Sequence, residues 1–344
     1  MNLTVFDSRR GFAAAKVKFD AEMCRIERRG ALERCLPNDL PPQLRQRLQD
    51  VLGLSSETPA LSYGSNLTSI GALSRGIGEA WTREWELHAN RELEFLTITP
   101  PGWWVSEFSP VLNLARWRAE ISRWMSRLGF TGTGVIEPAP FQKIRHERGG
   151  RGISFHFHAV GYTDDPFSYR GRVEALKEHL GPANTGQPSV VSKAIASTLS
   201  DVRYVSEYTV KTAGHAKNTV ARRDGEGTLL RNVRLPRQLA MRVQEMMSFF
   251  KLQDMIVARG KVGQHCKRQA LLAVGREAIA RFPDRMSDRS LLKFWRGFWD
   301  SFAAATKSKR KRDVRRRYRD VTVVRRHLSE TNLGQPVFDR TVKA

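Results

Sequence analysis

Residues 154–162 read Ser-Phe-His-Phe-His-Ala-Val-Gly-Tyr, an apolar run that carries two histidines two positions apart. Positions i and i+2 of a β-strand point to the same face of a sheet. We therefore expect His156 and His158 to project together from one face, while Phe155, Phe157 and Ala159 pack on the other. Two imidazoles held side by side on a rigid strand can bind one metal ion. The pattern alone is weak, because a chain with 8 histidines can contain such a pair by chance.

The segments around this run alternate between strand and helix patterns. The sequence predicts, in chain order, a strand at 94–99, a helix at 111–128, a strand at 132–137, the histidine strand, a helix at 169–180, a strand at 189–197 and a helix at 201–210. A long hairpin over 138–152 joins the second strand to the histidine strand. This order predicts an α+β fold with a central, largely antiparallel sheet. We expect its flanking helices mainly against one face, with the other face open for a ligand.

A third metal ligand is predicted at Glu137. This residue ends the strand that should pair with the histidine strand across the 138–152 hairpin. Two imidazoles and one carboxylate, with further positions open, suit Mg²⁺ or Mn²⁺ in a catalytic site. Ligand type alone leaves zinc open.

The predicted helix at 201–210 presents two of the chain's six tyrosines on one face. Tyr204, Tyr208 and Lys211 fall at i, i+4 and i+7, within roughly 60° of each other at about 100° per residue. A phenol can attack a phosphodiester and form a covalent phosphotyrosine. A nearby lysine could hold the phosphate or favour the phenolate. The alternative is that both tyrosines pack their rings and leave their hydroxyls in water.

The composition limits the class of protein. The chain has 344 residues, 40% of them hydrophobic, and a formal net charge of +23, which predicts a polyanionic partner. No apolar run approaches 18 residues, and the N-terminus lacks a signal-peptide pattern, so we expect no membrane span and no export. The three cysteines are scattered, which fits a reducing cytoplasm.

The positive charge is concentrated towards the C-terminus. Residues 215–344 contain 31 Lys and Arg against 12 Asp and Glu. We expect an N-terminal helical and loop region of unknown role at 1–90, a catalytic domain at 91–214 and a basic, mainly helical DNA-binding region at 215–344. Nine basic residues within 307–319 are the predicted phosphate contacts: Lys307, Lys309, Arg310, Lys311, Arg312, Arg315, Arg316, Arg317 and Arg319. A solvated tail is the alternative for this run.

Three motifs in this order resemble those of the HUH endonucleases, specifically the two-tyrosine rolling-circle replication initiator (Rep) proteins. Residues 95–100, Phe-Leu-Thr-Ile-Thr-Pro, are similar to the first motif, and 155–158, Phe-His-Phe-His, to the second. Residues 204–211, Tyr-Val-Ser-Glu-Tyr-Thr-Val-Lys, are similar to the third, Tyr-x-x-x-Tyr-x-x-Lys. The resemblance covers about residues 93–213. Conjugative relaxases place the tyrosine before the histidines, whereas two-tyrosine transposases share the present order.

The resemblance implies a nicking and joining enzyme for single-stranded and duplex origin DNA. One tyrosine would become joined to the 5′ phosphate, and the second would later attack the regenerated junction and release a circle. His156 and His158 would bind the metal, with Glu137 as the third ligand. The chain has no Gly-x-x-x-x-Gly-Lys-Ser/Thr phosphate-binding loop, so a host helicase and polymerase are expected partners. A rolling-circle transposase and a non-catalytic single-stranded nucleic-acid binder are the alternative functions.

Overall fold

The computed structural model describes residues 64–281 without 89–90, 108, 110–111, 196–197, 211–214, 222–227 and 249, together with positions 42 and 49. The helices are α1 (Leu67–Leu87), α2 (Leu114–Leu128), α3 (Pro166–Leu180), α4 (Leu199–Tyr208), α5 (Arg237–Ser248), α6 (Leu252–Met255) and α7 (Gly260–Arg281). The strands are β1 (Glu94–Ile98), β2 (Trp104–Ser106), β3 (Phe130–Arg145), β4 (Arg151–Thr163), β5 (Val190–Ala194), β6 (His215–Ala221), β7 (Thr228–Arg234) and β8 (Ile256–Arg259). A 3-10 turn at Pro101–Trp103 precedes β2.

One sheet contains all eight of these strands. Its main path runs β5-β1-β4-β3-β6-β7, with β2 paired to β4 and β8 to β3. The described pairings are antiparallel apart from β3 with β6. The predicted α+β class and largely antiparallel sheet are therefore confirmed, and the histidine strand β4 lies inside the sheet with partners on both sides.

The β3–β4 hairpin is longer than the sequence suggested. We expected Pro138 and Pro140 to end the second strand, but β3 continues to Arg145, and the chain turns at His146–Gly150. Pro138 pairs with Phe155 and Pro140 with Ile153 before the register shifts on the way to Arg145. The described pairings on the other side of β3 involve residues 132–135 and Phe141, so neither proline is paired there. Proline is tolerated at such an edge position, and Pro140 also precedes the register shift.

Helices cover both faces of the sheet, so the prediction of helices mainly on one face is wrong. On one side the Trp117 ring of α2 lies 4.9 Å from Phe155. On the other, the Tyr208 ring of α4 lies 6.1 Å from His158. Strand alternation separates these contacts, since positions 155 and 158 point to opposite faces. Phe155, Phe157 and Ala159 are buried on the α2 side, as predicted.

The described residues between 215 and 281 form both helices and strands. The strands are β6, β7 and β8. The sequence of 237–258 predicts one continuous helix, whereas these residues form α5, α6 and β8. Strand β8 contributes the β-branched pair Ile256 and Val257 to the sheet beside β3. An apolar run this short does not distinguish a strand from a buried helix segment by periodicity. The predicted helix at 290–305 and the basic run at 307–319 lie outside the described residues.

Helix α1 also begins earlier than expected, because residues 55–74 were predicted as a loop. Asn66 caps the helix by accepting a hydrogen bond from the Ser69 amide at 2.9 Å. Small residues in α1 let other helices approach: a β-carbon at Gly76 would lie 2.7 Å from that of Ala273 in α7. Serine and glycine in α1 allow close packing of helices. In the sequence, the same composition is typical of a loop. The predicted helix at 21–35 lies outside the described residues.

Among the described residues, none of the helices is both long and apolar enough to cross a membrane.

Candidate metal centre

Glu137, His156 and His158 come together as the sequence predicted. Strand register places Glu137 directly opposite His156, and His158 follows two residues later on the same face. The Nε2 atom of His156 lies 3.0 Å from Glu137 Oε1, and that of His158 lies 3.2 Å from the same oxygen. One ligand atom from each of the three residues lies within 4.8 Å of the others, so the group could hold a metal ion.

These separations suit ligands of one ion. Two neighbouring ligands of an octahedral ion, each about 2.1–2.2 Å from it, lie about 3 Å apart, and tetrahedral ligands about 3.4 Å apart. The two Nε2–Oε1 distances are close to the octahedral value. Glu137 is 3% exposed, and a buried carboxylate requires compensation of its charge. The imidazoles provide part of that compensation, and a bound cation would provide the rest.

Thr97 orients His158 from the neighbouring strand. Its Oγ1 lies 2.8 Å from His158 Nδ1, and the two residues are register partners in the β1–β4 ladder. If Nε2 binds a metal ion, the ring proton is on Nδ1 and can be donated to the threonine oxygen. Such hydrogen bonds set the tautomer and ring orientation of metal-binding histidines. Phe95, on the same face of β1, stacks on His158 with ring centroids 5.2 Å apart.

Tyr208 lies at the edge of this group. Its ring centroid is 6.1 Å from that of His158 and 5.8 Å from that of Phe95. The side chain is half-buried at the last turn of α4, packed against the core from which the histidines project. The sequence could not establish that the tyrosine helix and the histidine strand face each other, and in the structure Tyr208 and His158 do.

Helix α4 is capped at its N-terminus and bound to α1 near its C-terminus. Thr198, not the expected Asp201, caps its N-terminus, and its Oγ1 accepts from the Asp201 amide at 3.1 Å. At the other end, Ser74 of α1 donates to the Glu207 carbonyl at 2.8 Å. A β-carbon at Gly78 would lie 2.5 Å from Glu207 Cγ, so glycine permits the close approach of α1 to α4.

Of the remaining predicted site residues, the structure describes only Tyr204. Tyr204 lies on α4 one turn before Tyr208, and it is half-buried against the core. Lys211 and the nine basic residues of 307–319 lie outside the described residues.

Sequence reasoning assigned no role to Thr97 and Phe95, although both lie in the first quoted motif. Strand alternation could have indicated their role. Positions 95 and 97 share one face of β1, whereas the apolar Leu96 and Ile98 share the other. The contribution of Ser74 and Gly78 had no such signal, because it depends on where α1 packs.

Comparison with known proteins gives no family: no protein-family model, curated protein or solved structure matches this chain.

Proposed function

We propose that this protein is a rolling-circle DNA replication initiator: a metal-dependent enzyme that nicks one DNA strand through a tyrosine adduct and later rejoins it. The observation that carries the proposal is the placement of a tyrosine ring 6.1 Å from a histidine of the Glu137–His156–His158 group. Motif order and the net charge of +23 support a nucleic-acid substrate.

In the proposed reaction, the Tyr208 phenol oxygen attacks the scissile phosphorus. The bond from phosphorus to the 3′ oxygen breaks as the tyrosyl ester forms on the 5′ side. The phenol proton passes to solvent, and the departing 3′ oxygen takes up a proton, so the number of phosphate ester bonds is unchanged. The energy of the broken bond is kept in the phosphotyrosine, and the joining step needs no ATP.

Mg²⁺ or Mn²⁺ held by Glu137, His156 and His158 would supply positive charge for the scissile phosphate. Thr97 keeps the His158 ring in the orientation that directs Nε2 towards Glu137. Phe95 covers one side of that ring and contacts Tyr208, which limits the movement of both. These residues therefore arrange the reacting groups before DNA binds.

We assign the first attack to Tyr208 and the later attack to Tyr204. The ring contacts of Tyr208 place it beside the metal ligands. Tyr204 lies one helical turn, about 5–6 Å, before Tyr208, which is the C-terminal residue of α4. Two nucleophiles at this spacing would allow one to hold the first strand end while the other attacks the regenerated junction.

The test is an adduct assay on single-stranded oligonucleotides with Mn²⁺, read on denaturing gels and by mapping the DNA-linked peptide. We expect the parent protein to form its adduct on Tyr208. Adduct formation should be lost in His156→Ala, and in Tyr208→Phe only a small amount should remain, joined to Tyr204. Tyr162→Phe is the matched control, because Tyr162 lies on β4 with the two histidines but packs under the Arg91 guanidinium. This variant should form the adduct normally. A metal-dependent adduct that persists in the Tyr204→Phe/Tyr208→Phe double variant would overturn the proposal.

A replication initiator and a rolling-circle transposase differ in the DNA they select. We expect preference for a single internal nick site in an origin-like strand, with release of a joined circle after primer extension. A preference for terminal hairpins of an element would favour the transposase instead.

A further inference from the structure

A basic surface with one half-buried tryptophan extends along the sheet from the metal centre. It consists of the β3–β4 turn, the neighbouring β6–β7 hairpin and the side chain of β2 that lies between them and the histidines. We call it the hairpin surface, and its members are Trp104, Lys143, Arg148, Lys217 and Arg234.

Trp104 lies on the same face of the sheet as the metal ligands. It is the register partner of Ser154, which precedes His156 by two residues, so about 7 Å of strand separates the two positions. A β-carbon built on Gly152 would lie 1.8 Å from Trp104 Cζ2, which shows that the indole covers the backbone of Gly152. Glycine at 152 therefore makes room for the tryptophan on this face.

The indole is supported rather than buried. Phe141 meets it edge-on with centroids 5.3 Å apart, and His146 lies parallel to it at 6.3 Å. Trp104 keeps part of its surface in solvent. A fixed, partly exposed aromatic ring beside a strand of the sheet is suited to stacking of an unpaired base.

The turn that carries the exposed basic residues is anchored to β2. Ser106 Oγ donates to the Gly149 carbonyl at 2.6 Å, and Glu107 pairs with Arg151 at 2.9 Å. This pairing neutralises Arg151. Lys143 and Arg148 remain exposed near the turn, with Glu147 as an acidic neighbour. Arg145 is the register partner of Arg151 and points to the other face.

The β6–β7 hairpin adds a second set of basic residues beside the first. Lys217 is the register partner of Phe141, and the Asn218 side chain accepts from the Lys143 amide at 3.0 Å. Neither β6 nor β7 contains Asp or Glu. Arg234 is exposed and shares the face of Lys217, whereas Arg231 points to the other face. Among the described residues the hairpin surface thus carries four basic residues and one acidic neighbour, a balance that complements a polyanion.

We propose that the hairpin surface binds single-stranded DNA, with one base stacked on Trp104 and the backbone phosphates held by the basic residues of the two hairpins. The tryptophan decides in favour of a single strand, because bases paired in a duplex present no open ring face. This inference rests on the proposed function for its choice of DNA as the polyanion, and it adds the path by which a strand reaches the metal centre.

The stacking contact is tested by binding of a fluorescent dT20 oligonucleotide to the full chain. Removal of a stacking aromatic weakens binding by about 5- to 150-fold, so Trp104→Leu should fall in this range, and Trp104→Phe should retain most of the affinity. Trp85→Leu, at a half-buried tryptophan on α1, is the matched control and should bind as the parent does. Equal affinity of Trp104→Leu and Trp85→Leu would overturn the stacking role.

The charge contacts are tested by salt dependence, which does not require the tryptophan variant to fold. The Lys143→Gln/Arg148→Gln double variant should lower the slope of log Kd against log salt by about 1.4, at about 0.7 per phosphate contact on a single strand. Arg123→Gln/Arg127→Gln removes the same charge from exposed positions on α2, across the sheet, and should leave the slope near the parent value. Equal slopes in both variants, or tighter binding of duplex than of dT20, would contradict the proposal.

All binding is measured without metal and in the Tyr204→Phe/Tyr208→Phe background. If this background binds dT20 through Trp104 but the parent forms no adduct, the hairpin surface stands and the proposed enzyme fails. If the parent forms the adduct but the Trp104 and charge variants bind dT20 normally, the enzyme stands and the hairpin surface fails.

Discussion

Replacing Thr97 by valine isolates the contribution of one hydroxyl to the metal centre. Valine keeps the shape of the side chain and its suitability for a strand, so β1 should pair with β4 and β5 as before. What is lost is the 2.8 Å contact between Thr97 Oγ1 and His158 Nδ1. The imidazole then has no fixed acceptor for its Nδ1 proton and can rotate away from Glu137.

The expected loss of metal affinity follows from this orienting role. Removing an outer hydrogen bond to a metal-binding histidine lowers metal affinity by about 10- to 100-fold. The corresponding loss of binding free energy is about 1.4 to 2.8 kcal/mol. We expect the lower half of this range, because the Phe95 ring stacked on His158 still restrains it.

Calorimetric titration of Mn²⁺ into the purified protein measures the effect directly. Thr97→Ser retains a hydroxyl and should recover most of the affinity. Thr99→Val makes the same isosteric change two positions along, at a residue that is also half-buried, and serves as the control. Thermal unfolding of each variant checks that the fold is kept. If Thr97→Val binds Mn²⁺ as tightly as Thr99→Val, the orienting role of Thr97 is wrong.

Three further predictions concern the stability and chemistry of the core. Glu107→Gln leaves the Arg151 guanidinium, 17% exposed, without its carboxylate, and should lower the free energy of unfolding in urea by about 3 kcal/mol. The control Glu174→Gln, at an exposed ion pair, should change it by less than about 0.5 kcal/mol. Equal effects of the two substitutions would refute the role of the Glu107–Arg151 pair. Burial lowers the pKa of Lys267 to about 8, so between pH 8 and 10 the unfolded chain binds more protons at this residue than the folded chain does. The contribution of Lys267 to the free energy of unfolding should therefore rise by about 2 kcal/mol over this range. Lys267→Met should lack that rise, and parallel curves of stability against pH for the parent and the variant would contradict the prediction. Burial also raises the pKa of the Cys266 thiol, so iodoacetamide should label Cys266 only after denaturation, and rapid labelling of the native chain would show that α7 does not pack as described.

The grouping of Glu137, His156 and His158 was predictable because its geometry is local to a hairpin. His156 and His158 share a face through strand periodicity alone. Glu137 could be assigned to the same group because the preceding strand was expected to pair with the histidine strand. A carboxylate near the end of one strand of a hairpin lies close to residues on its partner. Such an argument needs no knowledge of where any helix packs.

Long-range packing accounts for most differences between sequence and structure. The prolines of β3 suggested an early end to the strand, yet the sheet accommodates them where β3 has no described pairing on its other side. Strand β8 was hidden within a predicted helix, because four residues cannot establish a period. The serines and glycines of α1 resembled a loop, but they bring α1 against α4 and α7.

The sequence by itself determined that two imidazoles and a carboxylate share one face of an antiparallel hairpin, because backbone pleating imposes a period of two on every strand. Only the tertiary structure decided that Tyr208 lies beside His158, that Thr97 bonds the back of its ring and that Trp104 continues the same face. Each of these contacts joins elements distant in sequence, and their meeting depends on packing across the sheet, on which local periodicity carries no information.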